Sequence, residues 1–153
     1  MPYNISIAMA KKMGVFKTKG KTRVGRKRGP SHLEAEMALQ FIANDMAQPI
    51  AQYRLFAEIV GKGKGVREQL RQRPEGWNDF KYDFAWPEHK LLFEVNGGTW
   101  MKGKSGHTSG KSYLRDCKKR EDAQLLGWQV YTCDSSMVKS GRALETIIKL
   151  LER

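Results

Sequence analysis

The sequence predicts a mixed α/β (α+β) domain, a small β-sheet flanked by helices, with a basic N-terminal arm. Three observations predict it. Two aromatic, strand-like segments, FKYDFAW (80–86) and KLLFEVN (90–96), are separated only by the turn residues Pro87-Glu88-His89. Helical signals precede and follow this hairpin, at 31–46 and 112–126. The charge is uneven. Residues 1–33 hold nine lysines and arginines and no acid, out of a net charge of +12, and the other 120 residues hold 19 basic and 16 acidic groups. The expected division is an arm at 1–30 and one domain at 31–153.

Each element has its own local reason. In 1–29, Gly14, Gly20, Gly25 and Gly29 break any helix, and Pro30 closes the segment. Ser31-His32-Leu33-Glu34 is a capping-box pattern opening a helix that should reach about Met46, ahead of Pro49. Residues 51–60, AQYRLFAEIV, alternate Tyr53, Leu55, Ala57 and Ile59 and predict a strand. GKGKG is a turn, and 66–76 is polar with room for one helical turn. The two hairpin strands follow. Residues 97–112 read as a basic loop rich in Gly, Ser, Lys and Thr. A helix then runs to Leu126 and stops at Gly127, and WQVYTC (128–133) is a strand. Asp134 or Ser135 caps a last helix with Val138, Leu144, Ile147, Ile148 and Leu151 as its apolar face.

Composition excludes several classes. Hydrophobic residues make up 40% of the chain, enough for a core. No apolar run approaches the roughly 20 residues that cross a bilayer, so no membrane partner is expected. The first residues lack the pattern of a secretory signal. Two cysteines, Cys117 and Cys133, exclude a disulfide scaffold and fit a reducing compartment, so a cytoplasmic location is expected. A nearly balanced globule with a basic arm points to a polyanionic partner, above all nucleic acid.

The hairpin carries the chemistry. Side chains alternate along a strand, so Phe80, Tyr82, Phe84 and Trp86 should share one face and Lys81, Asp83 and Ala85 the other. A two-residue turn at Glu88-His89 places Asp83 across from Glu94 and Lys81 across from Asn96. Opposed β-carbons lie roughly 4.5–5.5 Å apart, and two carboxylates at that distance repel unless something positive lies between them. A hard cation such as Mg²⁺, with Mn²⁺ as a possible substitute, suits two oxygen ligands of this kind. Two solvated acids in a slipped register are the bland alternative. On the first helix, about 100° per residue directs Glu34 into the face that meets the sheet and Glu36 away from it.

Helix-borne Glu34, then Asp83, ten residues, then Glu94-Val95-Asn96 resembles the PD-(D/E)XK nuclease superfamily. The stretch YDFAWPEHKLLFEVNGGTW, a basic loop and RDCKKREDAQLLGWQVY are similar to small phage and archaeal enzymes of this type, including Holliday-junction resolvases. The likeness spans about 31–135 and leaves the arm and 62–79 unexplained. It implies a restriction-endonuclease-like core in which Asp83, Glu94 and the Val95 carbonyl hold Mg²⁺ and Glu34 orients a second metal or a water. The family usually has Lys where this chain has Asn96. Asn96 hydrogen-bonds water but carries no charge, so Lys81 or Lys119 is expected to supply the cationic group, with Lys119 favoured.

Other signals carry less. SGHTSGKS (105–112) nearly matches a phosphate-binding loop but has Ser105 for the first glycine, so no nucleotide cofactor is expected. His32, His89 and His107 are too scattered for a zinc site. Trp100 is the best candidate for stacking on an exposed base. Nucleic-acid contacts are expected from Lys19, Lys21, Arg23, Arg26, Lys27 and Arg28 of the arm and from Lys102, Lys104, His107 and Lys111 of the loop.

The expected function is therefore a metal-dependent endonuclease hydrolysing DNA phosphodiester bonds, selective for branched DNA such as Holliday junctions and acting as a homodimer. The setting would be the host cytoplasm for a phage-encoded chain. A nicking or restriction-type duplex nuclease, and a non-catalytic nucleic-acid-binding protein, are the alternatives.

Overall fold

The computed structural model describes residues 29–97 and 110–153. The expected arm, apart from its last two residues, and most of the basic loop lie outside the described residues. Helix α1 (His32–Ala43) is followed by β1 (Ile50–Tyr53), α2 (Leu55–Val60) and α3 (Val66–Arg71). Strand β2 (Tyr82–Trp86), a 3₁₀ turn (Pro87–His89) and β3 (Leu91–Asn96) form the hairpin. Then come α4 (Gly110–Leu125), β4 (Gln129–Asp134), α5 (Ser135–Lys139) and α6 (Arg142–Leu151).

The strands form one mixed sheet in the order β1-β2-β3-β4. The first two pairings are antiparallel and β3 runs parallel to β4. A parallel neighbour needs a crossover, and α4 supplies it. Helices cover both faces. On one, Met37, Ala38 and Phe41 of α1 pack with Val138 and Ile147 against Phe84, Trp86, Leu91 and Phe93. On the other, Leu55, Phe56, Val66, Leu70 and Ala123 pack against Tyr82, Ala85 and Leu92. Burial on both faces explains why Leu91-Leu92-Phe93 is apolar without alternation. Phe41 presents its ring edge-on to Phe84, Trp86 and Phe93, at centroid distances of 5.3, 5.2 and 6.4 Å. Among the described residues, no helix is long and apolar enough to cross a membrane.

The mixed, helix-flanked sheet is the architecture expected from the sequence, and local expectations needed correction. Residues 51–60 are not one strand. Strand β1 stops at Tyr53, and Leu55–Val60 is a helix that buries Leu55, Phe56 and Ala57. The hairpin register is the expected one, with Ala85 across from Leu92. Its connection is four residues long, Pro87 to Lys90, with Lys90 at φ +48°, and not a two-residue turn. Helix α1 ends at Ala43, where the Asn44 N–H closes on Gln40, rather than at Met46. Asp134 does cap the C-terminal segment, accepting the Met137 N–H at 3.0 Å. Gly141 at φ +82° then splits that segment into α5 and α6. Tyr82 and Phe80 pack on the opposite side of the sheet from Phe84 and Trp86, although simple alternation puts all four together. The change of side falls just beyond the Phe84–Phe93 pair and where Gln52 adopts φ +55°.

Candidate active site

Strands β2 and β3 pair at Trp86–Leu91, Ala85–Leu92 and Phe84–Phe93. One residue further on, the Asp83 carboxylate accepts the Val95 backbone N–H at 2.8 Å. A side chain thus takes a donor that a continued ladder would use, and this fixes the carboxylate against β3. Extending the two registers by one residue places Asp83 between Gln52 of β1 and Glu94 of β3, and Thr132 of β4 pairs with Glu94. By this register the four polar residues fall at one level of the four strands.

Helix α4 brings the cation. The Lys119 ammonium pairs with Glu94 Oε1, and the two side chains are only 15% and 21% exposed. The same ammonium lies 4.5 Å from the centroid of the Tyr82 ring. The Tyr82 hydroxyl donates to the Lys119 carbonyl at 2.8 Å. Lys119 is thus held at its backbone by one end of Tyr82 and at its charge by the ring of the same residue. A half-buried ion pair of this kind costs desolvation, so it contributes little net stability and much local order.

Glu34 reaches the site from α1. Its Oε1 accepts the Ser31 N–H at 3.1 Å and completes the capping box. Its Oε2 accepts from Gln52 Nε2 at 2.7 Å. Its charge is felt at Asp83. Burial raises the Asp83 carboxyl to about 6, the Val95 N–H opposes that rise, Glu34 adds to it, and Lys119 and Lys81 oppose it. Burial lowers the Lys119 ammonium to about 8, against the attraction of Asp83 and with the repulsion of Lys81. Burial is thus the first cause of both shifts, and it disfavours the charged form of each group.

The structure therefore brings Asp83, Glu94, Val95 and Lys119 together, with Glu34 at their edge. Lys81 is exposed and acts on the site only through its charge. Asn96 is exposed at the end of β3, in register with Asp134. Lys111 is exposed in the first turn of α4. Lys19, Lys21, Arg23, Arg26, Lys27, Arg28, Trp100, Lys102, Lys104 and His107 lie outside the described residues. Sequence reasoning missed Gln52 and Tyr82. A left-handed Gln has no sequence signature, and Tyr82 reads as one more core aromatic.

Among the described residues, no three His, Cys, Asp or Glu side chains converge as a metal-ligating group. Two carboxylates suffice for Mg²⁺, which commonly keeps several waters and takes one or two carboxylates together with substrate phosphate oxygens. Asp83 and Glu94, with the Glu34 charge nearby, are hard oxygen donors of that kind, and burial is what chiefly raises the Asp83 carboxyl. The residues present fit the ion. Compared with protein-family models, curated proteins and solved structures, the chain matches none.

Proposed function

We propose that this chain is a metal-dependent endonuclease that hydrolyses DNA phosphodiester bonds, selective for branched DNA such as four-way junctions. The observation that carries the proposal is the convergence of the Asp83 and Glu94 carboxylates with the Lys119 ammonium where β2 and β3 part. Like charges placed together on a half-buried surface are costly and need a compensating role. Asp83, Glu94 and the Val95 carbonyl would hold Mg²⁺ or Mn²⁺. Bound there, the ion supplies Lewis-acid polarisation of a phosphoryl oxygen and a water of lowered pKa.

The protein's own residues do the rest. The Val95 N–H fixes one oxygen of Asp83, so the carboxylate is oriented before substrate arrives. Glu34, held by Ser31 and Gln52, accepts a hydrogen bond from water at the rim and orients it. Lys119, immobilised by Tyr82, offsets negative charge that grows on the phosphate in the transition state. It takes the part that the resemblance assigns to a lysine at position 96, and Asn96 is left to hydrogen-bond water. Cutting both strands of a junction symmetrically needs two such sites, which two-fold pairing of this small subunit provides.

The test is a gel assay with Mg²⁺ on four-way junction, flap, duplex and single-stranded DNA. Cleavage is expected with the junction preferred. Preferred cleavage of plain duplex would replace junction selectivity with a nicking or restriction-type activity. Absence of cleavage on all four would overturn the nuclease reading.

A further inference from the structure

Residues 62–79, which the hairpin chemistry does not use, form a second concave surface. A cavity of about 260 Å³ is lined by Arg67, Arg71, Trp77, Asn78, Asp79 and Arg115. Its one acid is already committed. Asp79, with its side chain 8% exposed, accepts from Arg54 Nε and Nη2 at 2.8 and 2.5 Å, and Arg67 Nε lies 3.7 Å away. Arg54 thus cancels Asp79, and Arg67, Arg71 and Arg115 remain as cations around the opening. The Arg67 and Arg71 side chains are 81% and 73% exposed, so their guanidinium groups face solvent. Arg71 also lies 3.5 Å from Glu68, an exposed pair that competes weakly.

Helix α4 ties this cavity to the candidate active site. Arg115 lies over the Phe80 ring at 5.7 Å, and Lys119, one helical turn later, lies over the Tyr82 ring at 4.5 Å. Two cations on one helix face are thus seated on two aromatic rings of the chain entering β2. At about 1.5 Å per residue they are about 6 Å apart along the helix. Guanidinium forks match phosphate oxygens, and a cluster of three takes an anion readily. The cavity is smaller than the roughly 300–1,000 Å³ of pockets that enclose a whole small molecule. It suits one unit of a polymer whose remainder lies outside.

We propose that this cavity is a phosphate-recognition subsite for a nucleic-acid strand, in which Arg67, Arg71 and Arg115 bind backbone phosphate on the strand that Asp83 and Glu94 cut. The proposal rests on the nuclease reading for the path of the strand. Its binding is measured separately from cleavage. Asp79, in the wall of the cavity and 3.7 Å from Arg67, anchors Arg54.

The experiment measures affinity for a labelled single-stranded oligonucleotide and a labelled four-way junction, in EDTA, across a salt series. It compares the full chain, the R67Q/R71Q variant and a charge-matched K139Q/K149Q control on exposed positions of α5 and α6. R67Q/R71Q is expected to weaken binding about tenfold or more and to flatten the salt slope by about one unit per lost phosphate contact. The control is expected to stay within about twofold of the full chain, since those lysines are not at the subsite. Both pairs are exposed, and equal melting temperatures verify folding. Unchanged affinity and slope in R67Q/R71Q, or an equal loss in the control, would overturn the subsite. So would a deoxynucleoside monophosphate that competes as well as the strand, because the cavity would then serve a free nucleotide. Failure of the full chain to cleave DNA leaves this readout intact, and unchanged binding in R67Q/R71Q leaves the nuclease reading intact.

Discussion

The Lys119 ammonium on α4 closes on the Glu94 carboxylate of β3, while the Tyr82 hydroxyl holds the Lys119 carbonyl. One tyrosine therefore fixes both the backbone and the charge of the lysine that faces the acids. Lys81, the other candidate cation, is exposed. In the proposed mechanism Lys119→Ala should lower cleavage by roughly 10² or more, the scale of losing a preorganised charge. Affinity for DNA should change little, because the charge acts mainly in the transition state. Lys81→Ala should change the rate by only a few-fold. Single-turnover cleavage rates for the two variants check this, and a larger loss in Lys81→Ala would reverse the assignment.

The raised carboxyl of Asp83 has a consequence for the metal-free protein. Its folded value, about 6, lies above the ordinary carboxylate value of 3.8. The folded state therefore binds the proton more tightly than the unfolded state, and stability falls as pH rises from about 4 through about 6. The full loss is on the order of 3 kcal/mol at ~1.4 kcal/mol per unit, less the screening due to partial exposure. Asp83→Asn removes this component. Urea melts in EDTA should show the variant gaining stability relative to the parent between pH 4 and pH 7. Equal pH dependence of the two would contradict the buried-carboxylate account.

Phe41 meets three rings on the α1 face of the sheet, and its burial is complete. Phe41→Ala should destabilise the fold by about 3–5 kcal/mol through lost burial and a residual cavity. Denaturant melts measure it. Because α1 also carries Glu34, residual cleavage at low temperature should fall further than the folded fraction does.

The arm supplies nine of the chain's positive charges without an acid among them. Deleting residues 1–28 should weaken DNA binding at all sequences and reduce the salt slope by up to about one unit per lost phosphate contact. Anisotropy titrations at several salt concentrations read the slope, and an unchanged slope would give the arm another task.

How far the sequence is legible depends on which interaction decides each element. Capping chemistry is local, so Ser31 and Glu34 announce α1 and Asp134 announces α5. The short turn between YDFAW and LLFEVN fixes the hairpin register, with Ala85 across from Leu92, although the turn itself is of another type. Helix α2 escapes local reading because Tyr53, Leu55 and Ala57 are spaced as in a strand, whereas Leu55, Phe56 and Ala57 are all buried in one core against β2 and β3. The Glu34–Gln52 bond and the side change at Tyr82 depend on a left-handed residue and on twist, which no local pattern encodes. The arginine cavity joins α3, the segment before β2, and α4, so it exists only after the chain is folded.

The most direct test of the central claim is cleavage of a four-way junction by the parent chain, Asp83→Asn and Glu94→Gln, each in Mg²⁺ and in EDTA, with binding measured on the same samples. The account predicts cleavage by the parent in Mg²⁺ alone. It predicts loss of cleavage by roughly 10² or more in both variants, with affinity for the junction retained. Cleavage at the parent rate by either variant, or by the parent in EDTA, would contradict it.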